Sequence, residues 1–241
     1  MFTKNCKCLF VLSAFALVAA MSLANAAKAE IINSISYIKP TGVTASSEFP
    51  IDPRVAGNLI DASGINTTTG LANSPGITTT QWLSGYTDNP TLIFTLDKKY
   101  DLAKTHVWNA YYAGSDVYNW AYGAKGVTIS TSEDGSNYSA GDHFTFAPAG
   151  DSDPGQDYAL PTVAVGVQYV KFVMDSIPAD NTYSPPNNAP NYTFAQTIGG
   201  DGGNNRQKYT GLQEVRFTPE PATMALLGLG GLGVLLRRKH R

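Results

Sequence analysis

The 241-residue chain is close to neutral, with 17 Lys/Arg against 19 Asp/Glu, and its only cysteines are Cys6 and Cys8. Residues 30–218 hold 18 of those acids and 10 of the bases, a net charge of −8, which does not suit nucleic acid or anionic lipid surfaces. That stretch is one domain of ordinary size, and without cysteine it must be stabilised by its core alone or with a metal.

The first 29 residues read as a secretory signal peptide. Lys4 and Lys7 form a positive n-region, Leu9 to Leu23 an apolar segment, and Ala24-Asn25-Ala26 and Ala27-Lys28-Ala29 are small-x-small cleavage sites. Both cysteines precede the apolar segment, whereas a lipoprotein cysteine would follow it, so they leave with the leader. An oxidising compartment would permit a disulfide, but the mature chain has no cysteine to form one.

Short β-branched or alternating runs follow. Residues 31–38, 91–96, 104–110, 126–131, 143–147, 167–174 and 212–218 predict strands. Turn clusters such as Asp134-Gly135-Ser136-Asn137, Asp153-Pro154-Gly155 and Asp201-Gly202-Gly203-Asn204 separate them. No convincing helical period runs for ten residues between the terminal segments. The expected fold is all-β, a sandwich or jelly roll over residues 30–218. Residues 62–79 and 178–208 read as long loops, a length associated with function or mobility.

The chain closes on Pro219-Glu220-Pro221, an apolar run from Ala222 to Leu236, and Arg237-Arg238-Lys239-His240-Arg241. This order resembles the PEP-CTERM sorting tail of exported bacterial proteins. The resemblance implies export, a transient hold in the inner membrane, and cutting near the tripeptide by an exosortase-like sorting enzyme. It places the product in the cell envelope, on the outer surface or outside the cell. The residues agree physically. The apolar run is uncharged and just shorter than the ~17–25 residues of a usual spanning helix. The basic end favours the cytoplasm, and Gly228, Gly230, Gly231 and Gly233 allow close helix packing in lipid. The alternative is a buried helix ending a soluble domain, for which five consecutive basic or His residues are a poor terminus.

Between the ends, an ordered set of segments carries a second resemblance. Ala45-Ser46-Ser47 precedes Asn58-Leu59-Ile60-Asp61, then Thr80-Gln81-Trp82-Leu83-Ser84, Pro90 to Leu96 and Val107-Trp108-Asn109. Lys125 to Ser130, Ser132-Glu133-Asp134-Gly135 and Gly211 to Phe217 complete the order. The set resembles a discoidin domain, the coagulation factor V/VIII C-domain type, within the galactose-binding-like β-sandwiches that include many bacterial carbohydrate-binding modules. The resemblance spans residues 32–218. It implies a discoidin-like jelly-roll sandwich flanked by a signal-peptide helix and a short C-terminal hydrophobic helix. Two departures stand out. The stretch from Asp61 to Thr80 is longer than usual, and Ala124 stands where a basic residue often precedes the Lys-Gly-Val-like strand.

The same resemblance implies a structural calcium where the Asn58–Asp61 turn meets the last strand. Asp61 and Glu214 would be side-chain ligands, with Thr80 and carbonyls near Asn58 and Gly64 completing the oxygen shell that calcium requires. The plainer alternative is an Asx-turn at Asp61 and a solvent-facing Glu214. The residues 151–157, with three carboxylates, lack EF-hand order and read as a solvated acidic turn. Sugar contacts are expected in the aromatic loop after the Val-Trp-Asn strand, from Asn109, Tyr111, Tyr112, Asp116 and Trp120. Tyr118, Asn119 and Tyr122 lie in the same loop; Tyr183, Tyr192 and Phe194 lie in the second long one. Aromatic faces stack on sugar rings and the amides and acids bind hydroxyls. These rings could equally pack as a satellite core, and Trp82 and Trp108 are expected in the main one. His106 reads as a surface or partly buried strand residue and His143 as surface. No catalytic pattern is present. Asn66, Asn137 and Asn191 head glycosylation sequons, weak evidence in a bacterial chain.

The sequence therefore predicts an exported, surface-sorted, non-enzymatic module that binds glycan or extracellular polysaccharide in the envelope or matrix. A structural matrix or biofilm protein without a discrete ligand is the first alternative, and a hydrolase the second.

Overall fold

The computed structural model describes residues 29–50, 53–73, 78–85, 87, 89–111, 123–147, 149–150, 152–175, 194–196 and 207–220. The leader, the apolar tail with Pro221, residues 74–77 of the first long loop and most of the second lie outside these residues. So do the helices expected at both ends. Among the described residues no helix is long and apolar enough to cross a membrane.

The run predicted as one strand over residues 31–38 is a hairpin of β1 (Ala29–Ile32) and β2 (Ile35–Ile38). Its turn residues, Asn33 and Ser34, both have positive φ, 47° and 65°, as a type I′ turn demands. β3 (Gly42–Ala45) follows, then a 3-10 turn at Ala56–Leu59. The first long loop contains a short hairpin of β4 (Ile65–Asn66) and β5 (Leu71–Ala72), and ends in a 3-10 turn at Thr78–Thr80 before β6 (Trp82–Leu83). Two predicted strands are halves of one, β7 (Thr91–Asn109). β8 (Gly126–Ser132) and β9 (Asp142–Thr145) lie near their expected places. The strand expected at 167–174 begins much earlier, as β10 (Gln156–Met174). β11 (Phe194–Gln196) and β12 (Gln207–Tyr209) pair within the second long loop, and β13 (Gly211–Pro219) closes the fold.

Strand pairing is antiparallel, in the order β1-β2-β13-β7-β10-β8-β9, with β3 on β7 and β6 on β13. The registers show how this path makes a sandwich. The first half of β7 pairs with β3 and with the second half of β10, which also pairs with β8. The second half of β7 pairs with β13 and with the first half of β10. Three register shifts in β10, between Ala159 and Tyr169, mark where the pair bends from one layer to the other, as bulges do.

Alternation on β7 buries Leu92, Phe94 and Leu96 against Phe172, Phe217, Phe146 and Trp82. Phe94 meets Phe172 and Phe217 edge-on, at 5.1 and 5.7 Å between centroids, a favoured aromatic geometry. Trp82 is core as expected, and its indole N–H donates to the Ser47 carbonyl. Trp108 is equally buried but in a second cluster, with Ile32, Tyr37, Ile65 and Ala72. The β1–β2 and β4–β5 hairpins cover it, which is why Thr105 to Asn109 are buried at every position and lose their alternation.

Candidate functional site

Three places bear on function: the base of the aromatic loop, the turn that faces Glu214, and a cleft beside Trp108.

Asn109 ends β7 and is buried. Its amide donates to the carbonyls of Ala124 and Ala147, at 2.7 and 2.8 Å. Its side-chain oxygen accepts the N–H groups of Ala110 and Ala124, both at 2.9 Å. Both donors and both acceptor positions are thus occupied. Asn109 is therefore not a sugar contact: it staples the two ends of the 110–123 loop to each other and to the β9–β10 connection. Ala124 is the other half of that staple and part of the main core, so a long basic side chain has no room there. Tyr111 is half-buried, and its carbonyl accepts from the Gln81 amide at 2.9 Å. Tyr112, Asp116 and Trp120 lie outside the described residues.

The turn after the first 3-10 segment packs on the outer face of β13. A register shift between Leu212 and Glu214 breaks alternation there. Leu212, Val215 and Phe217 stay in the core, while Glu214 and Arg216 face the turn, both completely buried. Glu214 Oε1 accepts from Arg216 Nη1 at 2.5 Å and from the Ala62 N–H at 3.4 Å. Glu214 Oε2 is buried without a hydrogen-bond partner. Burial pushes this carboxyl up to about 7, and Asp61 adds to the rise, while Arg216 and the Ala62 N–H pull the other way. Glu214 is not the solvent-facing strand residue that was the plainer expectation.

This donor set fits a hard cation in part. Glu214 Oε2 is an orphaned acceptor, Asp61 lies close enough to act on it, and the Thr80 carbonyl abuts the same turn. Asp61 also forms the Asx-turn, accepting the Ser63 N–H at 2.8 Å through one oxygen. Gly64 departs from expectation. Its carbonyl already accepts from the Gln213 amide and the Asn73 N–H, so both lone pairs are engaged. Its role is closeness: a Cβ there would lie 2.7 Å from Gln213 Cγ and 2.9 Å from the Thr80 carbonyl. The Asn58 side chain bridges the Pro53 and Gln81 carbonyls, each at 2.8 Å, and only holds the turn. Among the described residues no three His, Cys, Asp or Glu converge, so carbonyls or water would supply most of the six to eight oxygens calcium takes.

The third place was not foreseen. A cleft of about 550 Å³ opens between the two hairpins and the start of β10, with Tyr37, His106 and Trp108 along its floor. His106 Nδ1 lies 2.7 Å from Asp157 Oδ1, and Nε2 lies 3.1 Å from the Pro154 carbonyl. Its ring sits edge-on to Trp108 at 4.2 Å and tilted against Tyr37 at 5.3 Å. Asp157 also accepts from Lys104 at 3.0 Å. Burial alone would raise the Asp157 carboxyl, but the bonds from His106 and Lys104 outweigh it and hold it below the usual range. The turn read as merely solvated and acidic thus carries one acid with a structural task. The His106–Asp157 spacing gave no signal, because 51 residues separate the partners.

Residues 217–239 match the PEP-CTERM protein-sorting motif. The match starts inside β13 and includes Pro219, Glu220 and Pro221. No curated protein matches the chain. Solved structures similar to it include the lectin domain of lectinolysin complexed with Lewis B antigen, at 13% identity and a TM-score of 0.47, covering 76% of this chain and 95% of that one. An F5/8 type C domain from Bacteroides fragilis is 16% identical, with a TM-score of 0.45 and coverage of 73% and 89%. A Streptococcus pneumoniae fucose binding module is 14% identical, with a TM-score of 0.43 and coverage of 76% and 93%.

Proposed function

We propose that the mature protein is an exported, surface-sorted, non-enzymatic glycan-binding module, recognising exopolysaccharide or another glycan of the envelope or matrix through its 111–122 loop. The observation that carries this reading is the staple at Asn109. In sequence, Tyr112, Asp116, Tyr118, Asn119, Trp120 and Tyr122 lie between two ends that Asn109 fixes with four hydrogen bonds. A rigid scaffold under a side-chain-rich loop is the usual arrangement of binding sites, and aromatic faces interleaved with amides suit sugar rings. The −8 charge of residues 30–218 favours neutral glycans over acidic ones.

Calcium belongs to the same proposal as a structural ion. Asp61 and Glu214 would hold it, with the Thr80 carbonyl, and it would tie the first long loop to the last strand. An exosortase-like enzyme would process the tail near Pro219, Glu220 and Pro221, after the segment from Ala222 to Leu236 has held the chain in the membrane.

The deciding experiment is a glycan array probed with the purified protein, with calcium and with chelator. Saturable binding to a defined glycan, lost in Trp120→Ala, is expected. A blank array from a folded protein would overturn the reading in favour of a matrix protein without a ligand. A melting temperature raised by calcium in the wild type but not in Asp61→Ala is expected of the ion site; one indifferent to calcium and chelator removes it.

A further inference from the structure

One wall of the cleft beside Trp108 is the β4–β5 hairpin, built from the stretch between Asp61 and Thr80. Three hydrogen bonds lock its sides together. The Asn33 N–H donates to the Thr67 carbonyl at 3.1 Å, joining the two hairpin tips, and the Ala72 N–H donates to the Asp153 carbonyl at 2.7 Å. The Trp108 indole N–H donates to the Gly70 carbonyl at 2.9 Å, joining floor to wall. Glycine is required where the turn crosses the floor: Gly155 has φ +73°, and a Cβ there would lie 2.5 Å from His106 Nε2 and 3.0 Å from Trp108. The cleft is thus preformed, at a volume within the ordinary range of ligand sites, roughly 300–1,000 Å³.

We propose that this cleft is a second binding site, separate from the end loop, for a neutral oligosaccharide. Its chemistry is that of a hydroxyl-reader over an apolar bed. The Tyr37 hydroxyl makes no hydrogen bond among the described residues, although the rest of that ring is packed. The exposed rim carries Asn33, Thr69 and Gln156, and amides and hydroxyls both donate and accept, as sugar hydroxyls do. Ile35, 48% exposed, and Leu71 supply apolar surface for the C–H faces of a ring. Asp157 stands at the edge as a carboxylate held by His106 and Lys104, which disfavours an anionic sugar. The ligand class follows the glycan-binding reading above, but the site does not depend on the end loop.

The test is calorimetric titration of the full chain in detergent with cellohexaose, xylohexaose, mannohexaose and an oligogalacturonate. The variants are Tyr37→Phe, which removes one hydroxyl, Thr69→Arg, which fills the cleft from an exposed position, and Trp120→Ala. At least one neutral hexaose is expected to bind, with affinity falling tenfold or more in Tyr37→Phe and Thr69→Arg at unchanged melting temperature, and with binding retained in Trp120→Ala. Binding abolished by Trp120→Ala and untouched by both cleft variants overturns the second site and leaves the end loop standing. Binding lost in the cleft variants and kept in Trp120→Ala supports the cleft, and the 111–122 loop stands or falls on the glycan array. Preference for the oligogalacturonate, or no heat with any of the four, overturns this proposal; a positive glycan array would still uphold the first.

Discussion

Two acid–base pairs sit on the outer face of the same layer, 51 and 2 residues apart in sequence, and they are opposites. Glu214–Arg216 is dry, and its carboxyl is pushed up because burial outweighs the pull of Arg216. His106–Asp157 is open on one side, and although burial would raise its carboxyl, the hydrogen bonds from His106 and Lys104 outweigh that and hold it down. Proximity of a base does not decide a carboxylate's state; the balance of donors against lost hydration does. The dry pair leaves one buried acceptor, Glu214 Oε2, without a hydrogen-bond partner. The open pair is built like a strut under a cleft.

The largest effect should come from breaking the dry pair. Arg216→Met leaves Glu214 buried and unpaired, and should lower stability by about 3–5 kcal/mol in urea unfolding. Adding Glu214→Leu should recover most of the loss, since an apolar pair can replace a buried ionic one. A mild single variant would mean that water reaches the niche. Next comes the strut. Gly155→Ala places a Cβ against His106 in a backbone region unfavourable for L residues, and a loss of roughly 2–3 kcal/mol is expected.

The two pairs should also respond to pH with opposite sign, which sharpens the comparison. Glu214 is raised on folding from 4.5 to about 7, so its contribution is full below the lower value and fades as pH rises through the higher one. Melting temperature should therefore drop by several degrees between about pH 4.5 and 7.5, and Glu214→Gln or saturating calcium should flatten the slope. Asp157 is lowered from 3.8, so its contribution is present above that value and fades as acid takes pH below it. Asp157→Asn should remove the acid-side loss and lower neutral-pH stability only slightly, by about 1 kcal/mol or less, because the pair is partly exposed.

The sequence announces a β-sandwich through runs such as Leu92 to Leu96, where alternation and burial coincide. It hides what depends on the second layer. No strand is predicted between residues 96 and 104, yet β7 continues through them because β10 bends alongside. Asn33-Ser34 lacks the glycine that usually marks a type I′ turn, so one run stands for two strands. At the candidate sites, the nearness of Asp61 to Glu214 was legible through the family resemblance. The engagement of the Gly64 carbonyl was not, nor was Asn109 as a staple, because amide partners are set by chain segments far away in sequence. The bulge at Gln213 likewise has no glycine or proline to announce it.

β13 has a mechanical consequence. It lies between β2 and β7, its core face carries Val215 and Phe217, and the sorting motif begins within its last residues. A pull applied beyond Pro219 would run along the length of that central strand, parallel to its neighbours. The bonds of the β13–β7 ladder would then bear the load together in shear instead of opening one at a time like a zip. A domain hung from a surface by this strand would meet drag with that whole ladder and not with one bond at a time.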